Sequence, residues 1–155
     1  MATAIALRDL RCRSLRTIAD RILLQRKVFL AQDIGLPLGY GYSWYIHGPY
    51  STDLTDVAYQ VILEGFDSIE KNSFKPHYAA MISKVNALED KIEKNGLQIG
   101  VVQWYELIAS IAYWSQHGYD AKEKIVVKIR ETEPQFTGEQ LHAAYVVYSD
   151  LKKSA

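Results

Sequence analysis

A single cysteine, Cys12, in 155 residues leaves no partner for an internal disulfide and no thiolate set for a structural zinc. Histidine is equally thin. His47, His77, His117 and His142 never fall three or four residues apart, so no helical pair of metal ligands exists and no metal is expected. No apolar run approaches the ~18 residues of a membrane span. Residues 1–13 lack the long apolar stretch before small residues that marks a secretory leader. A Walker-type phosphate loop, an HExxH pair, an EF-hand loop and a GxSxG elbow are all missing. Gly39-Tyr40-Gly41 lacks a third glycine and leads into a strand-like segment, so it is no dinucleotide loop. Neither sign of charge prevails, since 18 Lys and Arg balance 18 Asp and Glu, which argues against a uniformly basic nucleic-acid binder. These absences predict a soluble cytoplasmic protein without cofactors. Two acid pairs, Asp53/Asp56 and Glu131/Glu133, are present. The first opens a helix, where the macrodipole favours carboxylates. The expectation is a protein that is not an enzyme, with a hydrolase assembled from distant residues as a third reading.

What is there is ordinary globular material: 48% apolar and 23% charged, enough to bury one sizeable core. Helical periodicity dominates. Residues 15–32 bring Leu15, Ile18, Ile22, Gln25 and Phe29 to one face, with Ser14 as N-cap and Gly35 and Pro37 as the stop. Ser51 caps a helix over 52–64 that Gly65 ends, and 77–95 reads as one exposed amphipathic helix. Residues 101–117 are apolar nearly all round, with Glu106 the single charge, which predicts a central helix with Trp104, Ile108 and Ile111 in the core. Asp120 with Glu123, and Thr137 with Gln140, have capping-box spacing and open helices to about Glu131 and through Leu151. A shorter helix within 4–12 precedes them all. Tyr40 to His47 alternate with a period of two, which predicts either a strand with a partner near Ser68–Phe74 or an extended loop pinned to helices, with a sharp break at Gly48-Pro49. The expected class is mostly α. It is a single compact helical domain of about five to six helices over 15–155, with a small β-hairpin or extended strand element around 40–47. A basic segment, 1–14, precedes it.

Two segments carry candidate function. Residues 1–30 hold seven cations against two anions, Asp9 and Asp20. Such a stretch is either a solvated face with local pairing or a contact to phosphates through Arg8, Arg11, Arg13 and Arg16. Cys12 sits among these arginines, a setting that favours the thiolate; the alternative is an incidental thiol. Tyr40, Tyr42, Trp44, Tyr45 and Tyr50 place five aromatics within eleven residues. Tyrosine and tryptophan bury large area while keeping a polar end, which suits interfaces. Tyr42 and Trp44 are expected against the core. Tyr45, His47 and Tyr50, presented by the Gly48-Pro49 turn, are expected to bind a partner protein.

The run Asp20-Arg21-Ile22-Leu23-Leu24-Gln25-Arg26-Lys27-Val28-Phe29-Leu30-Ala31-Gln32, then Leu38-Gly39-Tyr40, then Trp44-Tyr45-Ile46-His47-Gly48-Pro49-Tyr50-Ser51 with Leu54, resembles the YwgA-like family of small prokaryotic proteins. That family is related in pattern to the Panacea (SocA-like) antitoxin domain. Trp104-Tyr105-Glu106-Leu107-Ile108-Ala109-Ser110, Glu133-Pro134-Gln135-Phe136 and Ala143-Ala144 resemble its C-terminal half, so the likeness spans about residues 15–151. Lys27 departs from it, standing where the pattern has an apolar residue; either the helix turns differently there or the lysine meets a partner. The resemblance implies an α-rich fold with a small strand element and, through the wider antitoxin group, neutralisation of a toxin by direct binding. The expected function is a non-enzymatic protein-binding module of the prokaryotic antitoxin or defence-system type, docking onto a larger toxin, nuclease or other effector. The alternative is a small nucleic-acid-associated protein using the basic N-terminal segment.

Overall fold

The computed structural model describes residues 1–155 and contains eight α-helices and one two-stranded hairpin. In chain order these are α1 (Ala2–Asp9), α2 (Ile18–Asp33), β1 (Ser43–Tyr45), β2 (Gly48–Tyr50), α3 (Thr52–Glu64), α4 (Pro76–Ala87), α5 (Asp90–Lys94), α6 (Val101–Gln116), α7 (Lys122–Thr132) and α8 (Gly138–Ser154). A 3₁₀ turn at Asp67–Ile69 links α3 to α4. No helix is long and apolar enough to cross a membrane.

The apolar character of α6 places it at the centre, where it packs chiefly against α2 and α8 and also touches β2 and α7. Trp104, Ile108 and Ile111 are completely buried. Local chemistry sets several boundaries. The Ser51 side chain accepts from the Leu54 amide to start α3, and a Thr137–Gln140 capping box starts α8. Three expected boundaries are corrected. Thr17, not Ser14, caps α2, through a capping box with Asp20; Ser14 instead donates to the Asp20 carboxylate at 2.9 Å. Ala121 rather than Asp120 precedes α7, with no side-chain cap, because the Asp120 carboxylate pairs with Lys124 at 2.9 Å. The segment 77–95 is two helices. Trp104 Nε1 donates to the Leu88 carbonyl and Tyr105 Oη to that of Val85, drawing the last carbonyls of α4 toward α6.

The strand's partner is also corrected. β1 pairs antiparallel with the adjacent β2, Ser43 opposite Tyr50 and Tyr45 opposite Gly48, so Ile46-His47 is the turn and Gly48-Pro49 is strand. Residues 1–14, set apart by charge in the sequence, share the core: Ala6, Leu7, Leu10 and Cys12 all belong to it. Burial holds the Cys12 thiol up to about 11 despite the opposing pull of Lys27, so the thiol form prevails among the arginines.

Lys27 explains its own oddity. It is only 4% exposed. Its Nζ donates to the Leu10 carbonyl at 3.0 Å, just past the end of α1, and lies 3.4 Å from Asn86 Oδ1 on α4. The lysine fastens the first helix to the body of the fold. Lys27→Met leaves the Leu10 carbonyl without this donor and should lower stability by about 1–3 kcal/mol, read as a lower urea midpoint.

Candidate functional site

Ile18, Arg21, Ile22, Gln25 and Arg26 share one face of α2, since Ile18, Ile22 and Arg26, and Arg21 and Gln25, are four residues apart. They form one wall of a groove of about 460 Å³ whose other wall is the hairpin, through Tyr45, Ile46, His47 and Tyr50. The lips are apolar and open to solvent: Ile18 is 69% exposed, Tyr45 57% and Ile46 61%. The Tyr45 and Tyr50 rings lie 5.4 Å apart along the hairpin side.

Side chains of α2 sew the hairpin down. Gln25 clamps Ser51, accepting from its amide at 2.9 Å and donating to its carbonyl at 3.0 Å, and also donates to Thr55 Oγ1 at 2.8 Å. Arg26 Nη1 donates to the Pro49 carbonyl at 2.6 Å. On the opposite face Trp44 packs against Tyr113 and Trp114, with ring centres at 5.4 and 4.7 Å, and Tyr42 meets Phe29 edge-on at 4.9 Å. Tyr42 and Trp44 therefore anchor the ribbon and leave Tyr45, Ile46 and His47 at its tip.

Gly48 lies directly over Arg26. Its φ of +141° is reserved for glycine, and a Cβ there would sit 2.9 Å from Arg26 Nε. Gly48→Ala should therefore destabilise the fold by about 1–3 kcal/mol, measured as a lower thermal midpoint.

Beneath the hairpin lies a buried charge cluster. Glu106 of α6 places Oε1 3.7 Å from His47 Nδ1. Burial raises its carboxyl, while His47 and Arg26 pull the other way. Glu133, just past α7, is 1% exposed and neither of its carboxyl oxygens has a hydrogen-bond partner. Burial lifts its carboxyl to about 8, with Glu106 adding to the rise and Arg26 opposing it, while the nearby Ser110 hydroxyl is spent on the Glu106 carbonyl at 2.8 Å. Burial likewise lowers the Arg26 guanidinium, against the stabilising pull of Glu106 and Glu133. One guanidinium thus shares the interior with two carboxyls, and Glu133 holds its proton near neutral pH. The other expected acid pairs are different. Asp53, Asp56 and Glu131 are exposed, so Glu133 stands apart from its sequence neighbour. His, Cys, Asp and Glu side chains nowhere gather in threes that could hold a metal ion.

The expected docking residues divide accordingly. Tyr45 and His47 are exposed and Tyr50 is half-buried, but Gly48 and Pro49 are buried and serve the hairpin's attachment. The N-terminal arginines divide too. Arg8 is committed to the carbonyls of Ile69 and Asn72, both at 2.8 Å, and to Asp9. Arg11 lies 3.9 Å from Glu89, Arg13 covers the Phe66 ring at 5.1 Å, and Arg16 is exposed. Sequence reasoning missed Ile18, Arg21, Ile22 and Ile46 as groove residues, because the isoleucines read as core. The lone charge of Glu106 in an apolar helix was the visible trace of the buried cluster. No family model, curated protein or solved structure matches the chain.

Proposed function

We propose that this chain is a non-enzymatic protein-binding module of the prokaryotic antitoxin or defence type. It acts in the cytoplasm by docking the hairpin tip and the adjoining face of α2 onto a larger effector protein. The observation that supports the reading is the set of large apolar side chains, Ile18, Tyr45 and Ile46, held open to water on a braced scaffold. Contiguous exposed apolar surface beside fixed polar groups is characteristic of interaction sites, and an aromatic at the centre of such a patch is a frequent hot spot. The likeness to the YwgA-like pattern agrees with this reading and adds the expectation of a toxin or nuclease as the partner.

The test is affinity capture from the native host followed by mass spectrometry, with wild type and Tyr45→Ala compared. Tyr45→Ala should stay within about half a kcal/mol of wild-type stability because its ring is largely exposed. It should weaken partner binding by about 2 kcal/mol, roughly 30-fold. Unchanged capture by the folded variant would overturn the assignment. Retention of nucleic acid at low salt, lost on Arg13→Ala and Arg16→Ala, would favour the alternative reading.

A further inference from the structure

Building on that docking reading, we infer that the groove between α2 and the hairpin accepts a short acidic segment of the partner that also carries large apolar side chains. The chemistry of the lining carries this. Ile18, Ile22, Tyr45 and Ile46 offer apolar contact, while every ionisable group that accompanies them, tyrosine apart, is a base: Arg21, Arg26 and His47. No Asp or Glu lines the groove.

The neighbouring acids are already committed. The Asp20 carboxylate is held in the capping box of α2, accepting from the Ser14 hydroxyl and the Thr17 amide, and Glu106 lies behind His47 in the buried cluster. Gln25 uses both ends of its amide on Ser51 and Thr55, so it is not a free acceptor for a cationic guest. Arg21 makes one side-chain hydrogen bond, to the Leu15 carbonyl at 3.0 Å, and keeps the rest of its guanidinium for a ligand. Exposed Arg16, two residues before Ile18, extends the positive rim. A carboxylate finds one free fork-shaped donor, Arg21, beside apolar lips, with buried Arg26 behind it adding only its charge, whereas a basic segment would meet like charge.

The experiment is selection of short random peptides displayed on phage against the full chain, followed by binding measurements with the recovered sequences as synthetic peptides. The expected result is enrichment of Asp or Glu beside Leu, Ile or Phe. Binding should fall tenfold or more on Arg21→Glu, return when the peptide's acid is changed to Lys, and vanish on Ile46→Asp. The charge-swap rescue separates recognition from damage to the fold, and circular dichroism confirms that each variant is folded. Recovered peptides that depend on Ile46 but carry no acidic excess would overturn this inference and leave the docking reading standing. Peptides indifferent to both Ile46→Asp and Tyr45→Ala would overturn both. Absence of any enriched sequence, or displacement of the peptide by a DNA oligonucleotide in a strongly salt-dependent manner, also counts against the acidic segment.

Discussion

Arg26→Met should unfold at a lower denaturant concentration than wild type, losing about 1–3 kcal/mol, the usual consequence of leaving a buried carbonyl without its charged donor. Three effects combine. The Pro49 carbonyl loses its donor, and β2 loses its main tie to α2. Glu106 keeps His47 but loses the second cation that opposes its desolvation. The flat guanidinium under Gly48 is replaced by a rounder chain. Arg26→Lys should restore little, because an ammonium cannot reproduce the planar fork. Above pH 8, where Glu133 gives up its proton, the double variant Arg26→Met/Glu133→Gln should recover part of the loss, because the orphaned acid is gone, and a double-mutant cycle measures that coupling. Independent, additive effects would show that the two residues do not sense one another.

Stability should fall as pH rises from about 5 to 8, and Glu133 should be the main cause. Its carboxyl titrates near 8 in the folded chain, far above the unfolded value of about 4.3. The folded state therefore binds the proton more tightly. The resulting stabilisation is complete below the unfolded value and disappears as pH climbs through the folded one. Between pH 5 and 7 the loss amounts to roughly 2–3 kcal/mol at about 1.4 kcal/mol per unit. Glu106, also raised by burial, adds in the same direction. Glu133→Gln keeps the shape, removes the titration and should flatten the profile, making the variant more stable than wild type at pH 8. Urea midpoints across the range test this. A wild-type curve that is level from pH 5 to 8, or one that Glu133→Gln leaves unchanged, would refute the buried protonated carboxyl.

The legible parts of the fold were those written in local chemistry. Ser51 before a helical stripe, Thr137 three residues before Gln140, and an apolar run with one charge each specify an element by nearest-neighbour physics, and α3, α8 and α6 follow. The illegible parts depend on residues distant in the chain. Nothing in Ala87-Leu88-Glu89-Asp90 interrupts a helix; the break between α4 and α5 comes with hydrogen bonds from Trp104 and Tyr105. The alternation from Tyr40 to His47 hid a two-residue turn within itself, so the strand's partner was sought too far away. The candidate site divides in the same manner. Tyr45 and His47 were visible as aromatic and polar residues beside a Gly-Pro pair. Ile18 and Ile22 were not, because their periodicity is identical to that of the core stripe they extend. Ile18 is exposed and Ile22 half-buried beside the hairpin, a difference that periodicity does not carry.

The three-sided bracing of the hairpin, by Gln25, Arg26 and the Trp44 stack, has a consequence for kinetics. Its backbone is already in place before any encounter. On the proposed docking reading, a partner would restrict only the side-chain freedom of Tyr45, Ile46 and His47 on the hairpin, at about 0.5–1.5 kcal/mol each, and not the backbone ordering of about 1–2 kcal/mol per residue that a flexible loop would require. Discrimination between related partners would then appear in the lifetime of the complex, with rates of encounter varying much less from one to the next.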